Sequence, residues 1–179
     1  LVSVTSEAEV LPAGVEAVVG RHDGPGWWAI LEMFDPGNFT GLVLYLDLDV
    51  VVRKNVSPII YYNSPFAIMQ PPLKLGEIKH HKDGKESVLY NSSCMVFDAG
   101  AGQVLWDECT AKEMERFRGD QDWIAHRLPN LDKLPVNWVL KLRYCEKGIP
   151  PKEAMVVLCM PGKNDKAAAR HPWIKQIWV

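Results

Sequence analysis

"VLYLDLDVVV", residues 43–52, carries only two charges, the carboxylates of Asp47 and Asp49, with one leucine between them. A continuous apolar run, as opposed to an alternating one, reads as a strand covered on both faces, the setting of a mostly parallel sheet with helices on either side. Burying an isolated ionised carboxylate is costly unless something positive meets it. Residues i and i+2 of a strand point to the same side, so Asp47 and Asp49 can aim at one point. At the C-terminal end of a strand in an open α/β sheet, that point lies where ligands bind. A hard divalent cation, Mn²⁺ or Mg²⁺ shared with phosphate oxygens, suits such a pair. In the plainer reading, both carboxylates simply solvate the start of a loop.

Outward from this strand, "LVSVT" (1–5) and "VEAVV" (15–19) have strand character. After Gly24-Pro25-Gly26, the residues Trp27, Ile30, Leu31 and Phe34 fall at i, i+3, i+4 and i+7, a helical stripe that stops at Asp35-Pro36-Gly37. "FAIMQ" (66–70) and "SCMVFD" (93–98) read as further strands. Between them, the polar stretch 71–87 with its His80-His81 pair reads as a surface excursion or a lid. Residues 102–117 read as one helix and "DQDWIAHRL" (120–128) as another. "NWVLKLRY" (137–144) and "AMVVLCM" (154–160) are late strands. Strands alternate with helices, so the fold class is α/β. Without internal repeat or linker, residues 1–179 are expected to form a single domain.

The composition agrees: 179 residues, 47% hydrophobic and 23% charged, suit one globular domain. The net charge is −2 and no basic run is long enough to serve as a footprint for nucleic acid or anionic membrane. An anionic substrate would need a metal or a few local cations. Cys94, Cys109, Cys145 and Cys159 lie far apart with no C-x-x-C, so they read as reduced thiols and not as a metal cage or disulfide framework. No apolar stretch reaches the roughly 18 residues of a membrane span, and no signal peptide is legible, so the expected location is cytoplasmic. The chain opens at Leu1, directly in strand-like sequence.

Five segments in order, "GWWAILEMF" (26–34), "LYLDLDVVV" (44–52), "NSSCMVFDAG" (91–100), "GDQDWIAHRL" (119–128) and "HPWIKQIW" (171–178), resemble retaining glycosyltransferases of the GT-A fold. The likeness is to glycosyltransferase family 8, the glycogenin and lipopolysaccharide galactosyltransferase group. It implies a GT-A-like, Rossmann-like nucleotide-sugar-binding fold and transfer of a hexose from a UDP-sugar to a glycan acceptor. By the same resemblance, Asp47 and Asp49 hold Mn²⁺ (or Mg²⁺) against the donor diphosphate, and Asn91 and Ser92 contact the donor sugar. Asp120 and Gln121 lie beside the anomeric carbon, one or the other stabilising the oxocarbenium-like centre. Gly162 and Lys163 match the family's closing stretch, with Lys163 in reach of a phosphate.

The chain also departs from the pattern. Ser93 stands where the family carries glycine, Ile30 where it carries a phosphate-neutralising lysine, and Pro161 where it carries a histidine that is the third metal ligand. His171 is a substitute ligand to consider. Lys163, Lys166, Arg170 and Lys175 form a modest cationic group that could face the diphosphate. The family also begins with a further strand and helix that cradle the base, and this chain starts after them. The departures keep open a second reading, the same fold without turnover. A third, the haloacid-dehalogenase-like phosphatases, would make Asp47 a nucleophile and Asp49 an acid/base. Against it, Gly119-Asp120-Gln121-Asp122 follows the charged, helical "KEMERFR" (112–118) and not an apolar strand.

Overall fold

The computed structural model describes the backbone of residues 2–5 and 16–19 and all of residues 26–70, 90–159 and 171–177. The polar stretch 71–87 with His80 and His81 lies outside the described residues, as do Pro161, Gly162, Lys163, Lys166 and Arg170. Strands β1 (Val2–Thr5) and β2 (Glu16–Val19) pair in parallel. A 3₁₀ helix, Gly26–Phe34, follows. Then come β3 (Leu42–Leu46), β4 (Val50–Val52), α1 (Ser57–Ile60), β5 (Phe66–Met69) and β6 (Asn91–Asp98). Three helices, α2 (Gln103–Asp107), α3 (Ala111–Arg116) and α4 (Asp120–Arg127), precede β7 (Asp132–Lys133), β8 (Val139–Lys141) and β9 (Val156–Leu158). Helix α5 (Pro172–Ile177) is the last described element.

The central sheet has the order β3-β6-β5-β7 and a smaller one the order β4-β9-β8. The class is mixed α/β, but the expected mostly parallel central sheet is not what surrounds the aspartates. There β3 and β5 each run antiparallel to β6, and the parallel pairs are β5–β7, β8–β9 and β1–β2. The apolar run in β3 reports burial of both faces, which holds for either strand direction.

Both faces are indeed covered. Val43, Phe66, Ile68, Met95 and Phe97 share a cluster with Trp28, Leu31, Phe34, Leu105, Trp123 and Ile124 from the helices. Ala67, Met69, Cys94 and Val96 pack on the other side with Ile59, Leu134, Val139, Val156 and Leu158. The rings of Phe34, Phe66 and Phe97 form the centre of the first cluster, with centroids 5.1 to 5.7 Å apart.

The segment 26–34 is wound as a 3₁₀ helix, with three residues per turn in place of 3.6. Trp28, Leu31 and Phe34 therefore stack on the buried face, whereas the expected stripe began at Trp27. Trp27 turns outward and is 59% exposed. Residues 102–117 form two helices and not one, broken at Thr110, whose hydroxyl accepts from the Glu113 N–H as an N-cap. Gly102, just before α2, lies against Phe34: an added Cβ would sit 2.4 Å from Phe34 Cδ1. Gly102→Ala is expected to destabilise the fold by about 1–3 kcal/mol through overpacking, read as a lowered urea midpoint.

Candidate functional site

Strand β3 ends at Leu46 and the chain turns through Asp47-Leu48-Asp49 into β4, which belongs to the other sheet. The Val50 N–H donates to the Asp47 carbonyl across this turn at 3.2 Å. The Asp47 N–H donates to the Ser93 carbonyl at 3.1 Å, extending the β3–β6 ladder by one bond. The Asp49 carbonyl accepts from the Cys159 N–H at 2.8 Å, which ties the far side of the turn to the end of β9. Leu48, between the carboxylates, is 95% exposed at the tip. The two aspartates thus sit at a junction of sheets and not within one continuous strand.

Burial sets the electrostatics. Asp49 is only 8% exposed and one of its oxygens, Oδ2, has no hydrogen-bond partner among the described residues. That burial, aided by the charge of Asp47, pushes its carboxyl up to about 6, while its own backbone N–H and the Lys141 ammonium pull the other way. Asp120 opens α4 and is 7% exposed, again with Oδ2 unpartnered. Its carboxyl also rises to about 6. Burial is the main cause and Asp47 adds to it, while the Ser92 hydroxyl and the backbone N–H groups of Gln121 and Asp120 oppose it. The Tyr45 hydroxyl donates to Asp47 Oδ1 at 2.6 Å. Burial first, and then the charges of Asp47, Asp120 and Asp49, raise the Tyr45 phenol above its ordinary range, so it stays a protonated donor.

The structure therefore brings together Asp47, Asp49, Ser92 and Asp120, four of the residues singled out in the sequence. Asn91 adjoins them at the start of β6, almost fully buried, with its Oδ1 unpartnered among the described residues. Here the β5–β6 register shifts, so that Ile68 pairs with Met95 but Met69 with Asn91. Irregularities of this kind re-aim side chains beside sites. Gln121 is half-buried in the first turn of α4. That helix is held by the indole N–H of Trp123, which donates to the Leu105 carbonyl at 3.0 Å. Gly162 and Lys163 lie outside the described residues. His171 packs against Gly148, where an added Cβ would strike its ring.

Two neighbours, Tyr45 and Lys141, escaped the sequence reading, and a third, Trp27, reads there only as one of several tryptophans on which an acceptor sugar could stack. Tyr45 looked like part of an apolar run, although its i, i+2 relation to Asp47 was the available signal. Lys141 reaches the Asp49 environment through the pairing of β4, β9 and β8, which aligns Val50, Leu158 and Lys141 in one row. The sequence alone does not show that row. Trp27 stands beside Gly119, where an added Cβ would lie 3.2 Å from its indole Cδ1, next to Asp120.

The fit to a divalent cation rests on chemistry: two buried carboxylates with oxygens unpartnered among the described residues, and two aspartates in mutual electrostatic reach, make an anionic cluster that a hard cation would suit. Among the described residues, no group of three or more His, Cys, Asp or Glu is arranged to hold a metal by itself. A cation here would take its remaining ligands from elsewhere, as Mg²⁺-type sites do from substrate phosphates and water. All four cysteines are free, with Cys94 and Cys159 buried. Among the described residues no helix is long and apolar enough to cross a membrane.

Neither a family model nor a curated protein sequence matches the chain. Solved structures do. The glycosyltransferase GlyE of Streptococcus pneumoniae TIGR4 matches with a TM-score of 0.57 and 14% identity over 88% of this chain. Its apo form matches with a TM-score of 0.56 and the same identity. In both cases the match covers 46% of the solved chain, so this chain spans about half the length of its structural neighbour. Its fold is similar to that of a glycosyltransferase.

Proposed function

We propose that the chain carries the donor-binding half-site of a metal-dependent glycosyltransferase of the GT-A type, moving a hexose from a UDP-sugar to a glycan acceptor with retention. The observation that carries this reading is the convergence of Asp47, Asp49 and Asp120 around Tyr45 at the end of a sheet buried on both faces. Asp47 and Asp49 would hold Mn²⁺ or Mg²⁺. Such an ion, when bound, supplies Lewis-acid neutralisation of the charge on the departing nucleoside diphosphate. Asn91 and Ser92 offer polar groups to the donor sugar, and the unpartnered Oδ2 of Asp120 offers negative charge to a carbon that becomes positive. Trp27, exposed beside Gly119, gives an acceptor saccharide an aromatic face to lie on.

The test is calorimetric titration of UDP into the protein with and without Mn²⁺. Binding is expected only with the metal, and heat-free titrations in both conditions would remove the donor site from consideration. One observation favours a second reading, the same fold without turnover. Ile30, at the position of the family's lysine, is buried in the core and supplies no cation. That reading expects no UDP binding in either condition.

A further inference from the structure

We propose that Tyr45 is a positioning residue for the cation site: its phenol fixes the rotamer of Asp47 so that one carboxylate oxygen is committed inward and the other is presented to the ligand. The proposal rests on the donor-site reading above and names a residue that reading leaves out.

The geometry is over-determined. The Asp47 main chain is pinned on both sides, its N–H on the Ser93 carbonyl and its carbonyl by the Val50 N–H. With the backbone fixed, the side chain retains χ1 and χ2, and the 2.6 Å bond from the Tyr45 hydroxyl to Oδ1 removes that freedom. The donor arrives on a rigid ring that packs against the core cluster of Trp28, Val43 and Phe97, so its position is set by packing and not by a flexible stem. Asp49 has its carbonyl anchored by Cys159 but keeps Oδ2 unpartnered. One carboxylate is thus aimed in advance.

The chemistry of the donor matters as much as its position. Tyr45 donates to Asp47, which lies two residues from a second carboxylate, Asp49. A lysine or arginine at its place would orient Asp47 equally well but would neutralise the anionic cluster and compete with an incoming cation. A neutral hydroxyl orients without discharging. Outer-shell donors of this kind are worth about 10–100-fold in metal affinity.

The experiment titrates Mn²⁺ alone, followed by electron paramagnetic resonance, into wild type, Tyr45→Phe and Tyr45→Leu. Thermal midpoints of the same metal-free samples are recorded alongside. The phenylalanine variant keeps the ring, and the leucine variant matches the flanking Leu44 and Leu46 should the first fold poorly. The expected result is a 10–100-fold rise in the Mn²⁺ dissociation constant with a fall in midpoint no larger than a few degrees, the scale of one lost hydrogen bond. Unchanged Mn²⁺ affinity with a lowered midpoint would make Tyr45 purely structural and overturn the proposal while leaving the donor site standing. Failure of the wild type itself to bind Mn²⁺ would overturn the donor-site reading, and the positioning role with it.

Discussion

Asp49→Asn is expected to abolish Mn²⁺-dependent UDP binding and, in the same protein, to relieve a cost carried by the metal-free fold at neutral pH. Both effects have one cause. Burial holds the Asp49 carboxyl at about 6 in the folded chain, against about 3.9 for an unfolded aspartate. Between these values the folded state binds the proton more tightly, so stability falls as pH rises from about 4 to about 6 and is flat above. The cost, fully present above pH 6, is at most about 3 kcal/mol for this residue, a rise from about 3.9 to about 6 at 1.4 kcal/mol per unit, and solvent screening lowers it. Asp120 shifts in the same direction and adds to it. A cation would offset the cost by meeting the charge, so on the proposed reading the metal-bound site would be more stable than the metal-free one. In thermal melts, the metal-free wild type is expected to gain stability from pH 7 to pH 5, and Asp49→Asn to gain less over the same interval. The gain at pH 7 will be smaller than the full cost, because the asparagine amide still lacks a partner there. If the variant binds UDP and Mn²⁺ as tightly as wild type, Asp49 is no ligand.

Asp120→Asn is expected to separate binding from chemistry. The residue sits at the start of α4, held by the Ser92 hydroxyl, with Oδ2 unpartnered, and it feels the charge of Asp47 without being part of the aspartate turn. On the proposed reading, removing its charge would take away stabilisation of a positive centre but leave Asp47 and Asp49 in place. Electrostatic groups of this kind are worth about 10²–10³-fold in turnover. The expected result is a loss of that size in release of UDP from a UDP-sugar, with Mn²⁺-dependent UDP affinity unchanged. An equal loss in both would assign Asp120 to nucleotide binding instead.

The parts of this site legible in the sequence are those carried by short-range pattern. Asp47 and Asp49 announce themselves by interrupting an apolar run, whereas pattern alone makes Gly119-Asp120 a helix start and only the resemblance of 119–128 to a family motif singles Asp120 out. The burial of β3 on both faces follows from the same run. Strand direction does not, because an apolar residue is satisfied by cover from either kind of neighbour, and so the sheet around the site proved antiparallel. The 3₁₀ winding of 26–34 shifted the buried tryptophan from Trp27 to Trp28, a change of phase that residue types alone do not encode. The break in 102–117 was readable: Thr110 and Glu113 have the spacing of a helix N-cap pair. Lys141 and the Ser92–Asp120 contact depend on which strands and helices become neighbours, and no local pattern carries that information.

The turn at Asp47-Leu48-Asp49 joins consecutive strands that hydrogen-bond to different sheets. Whatever draws the two carboxylates together therefore pulls on both sheets at once, Asp47 through the ladder to β6 and Asp49 through its link to β9. The span between the carboxylates is accordingly governed by how the apolar layers behind them seat against each other. A substitution deep in that packing, far from any charge, can detune the grip on a cation as surely as one in the turn itself.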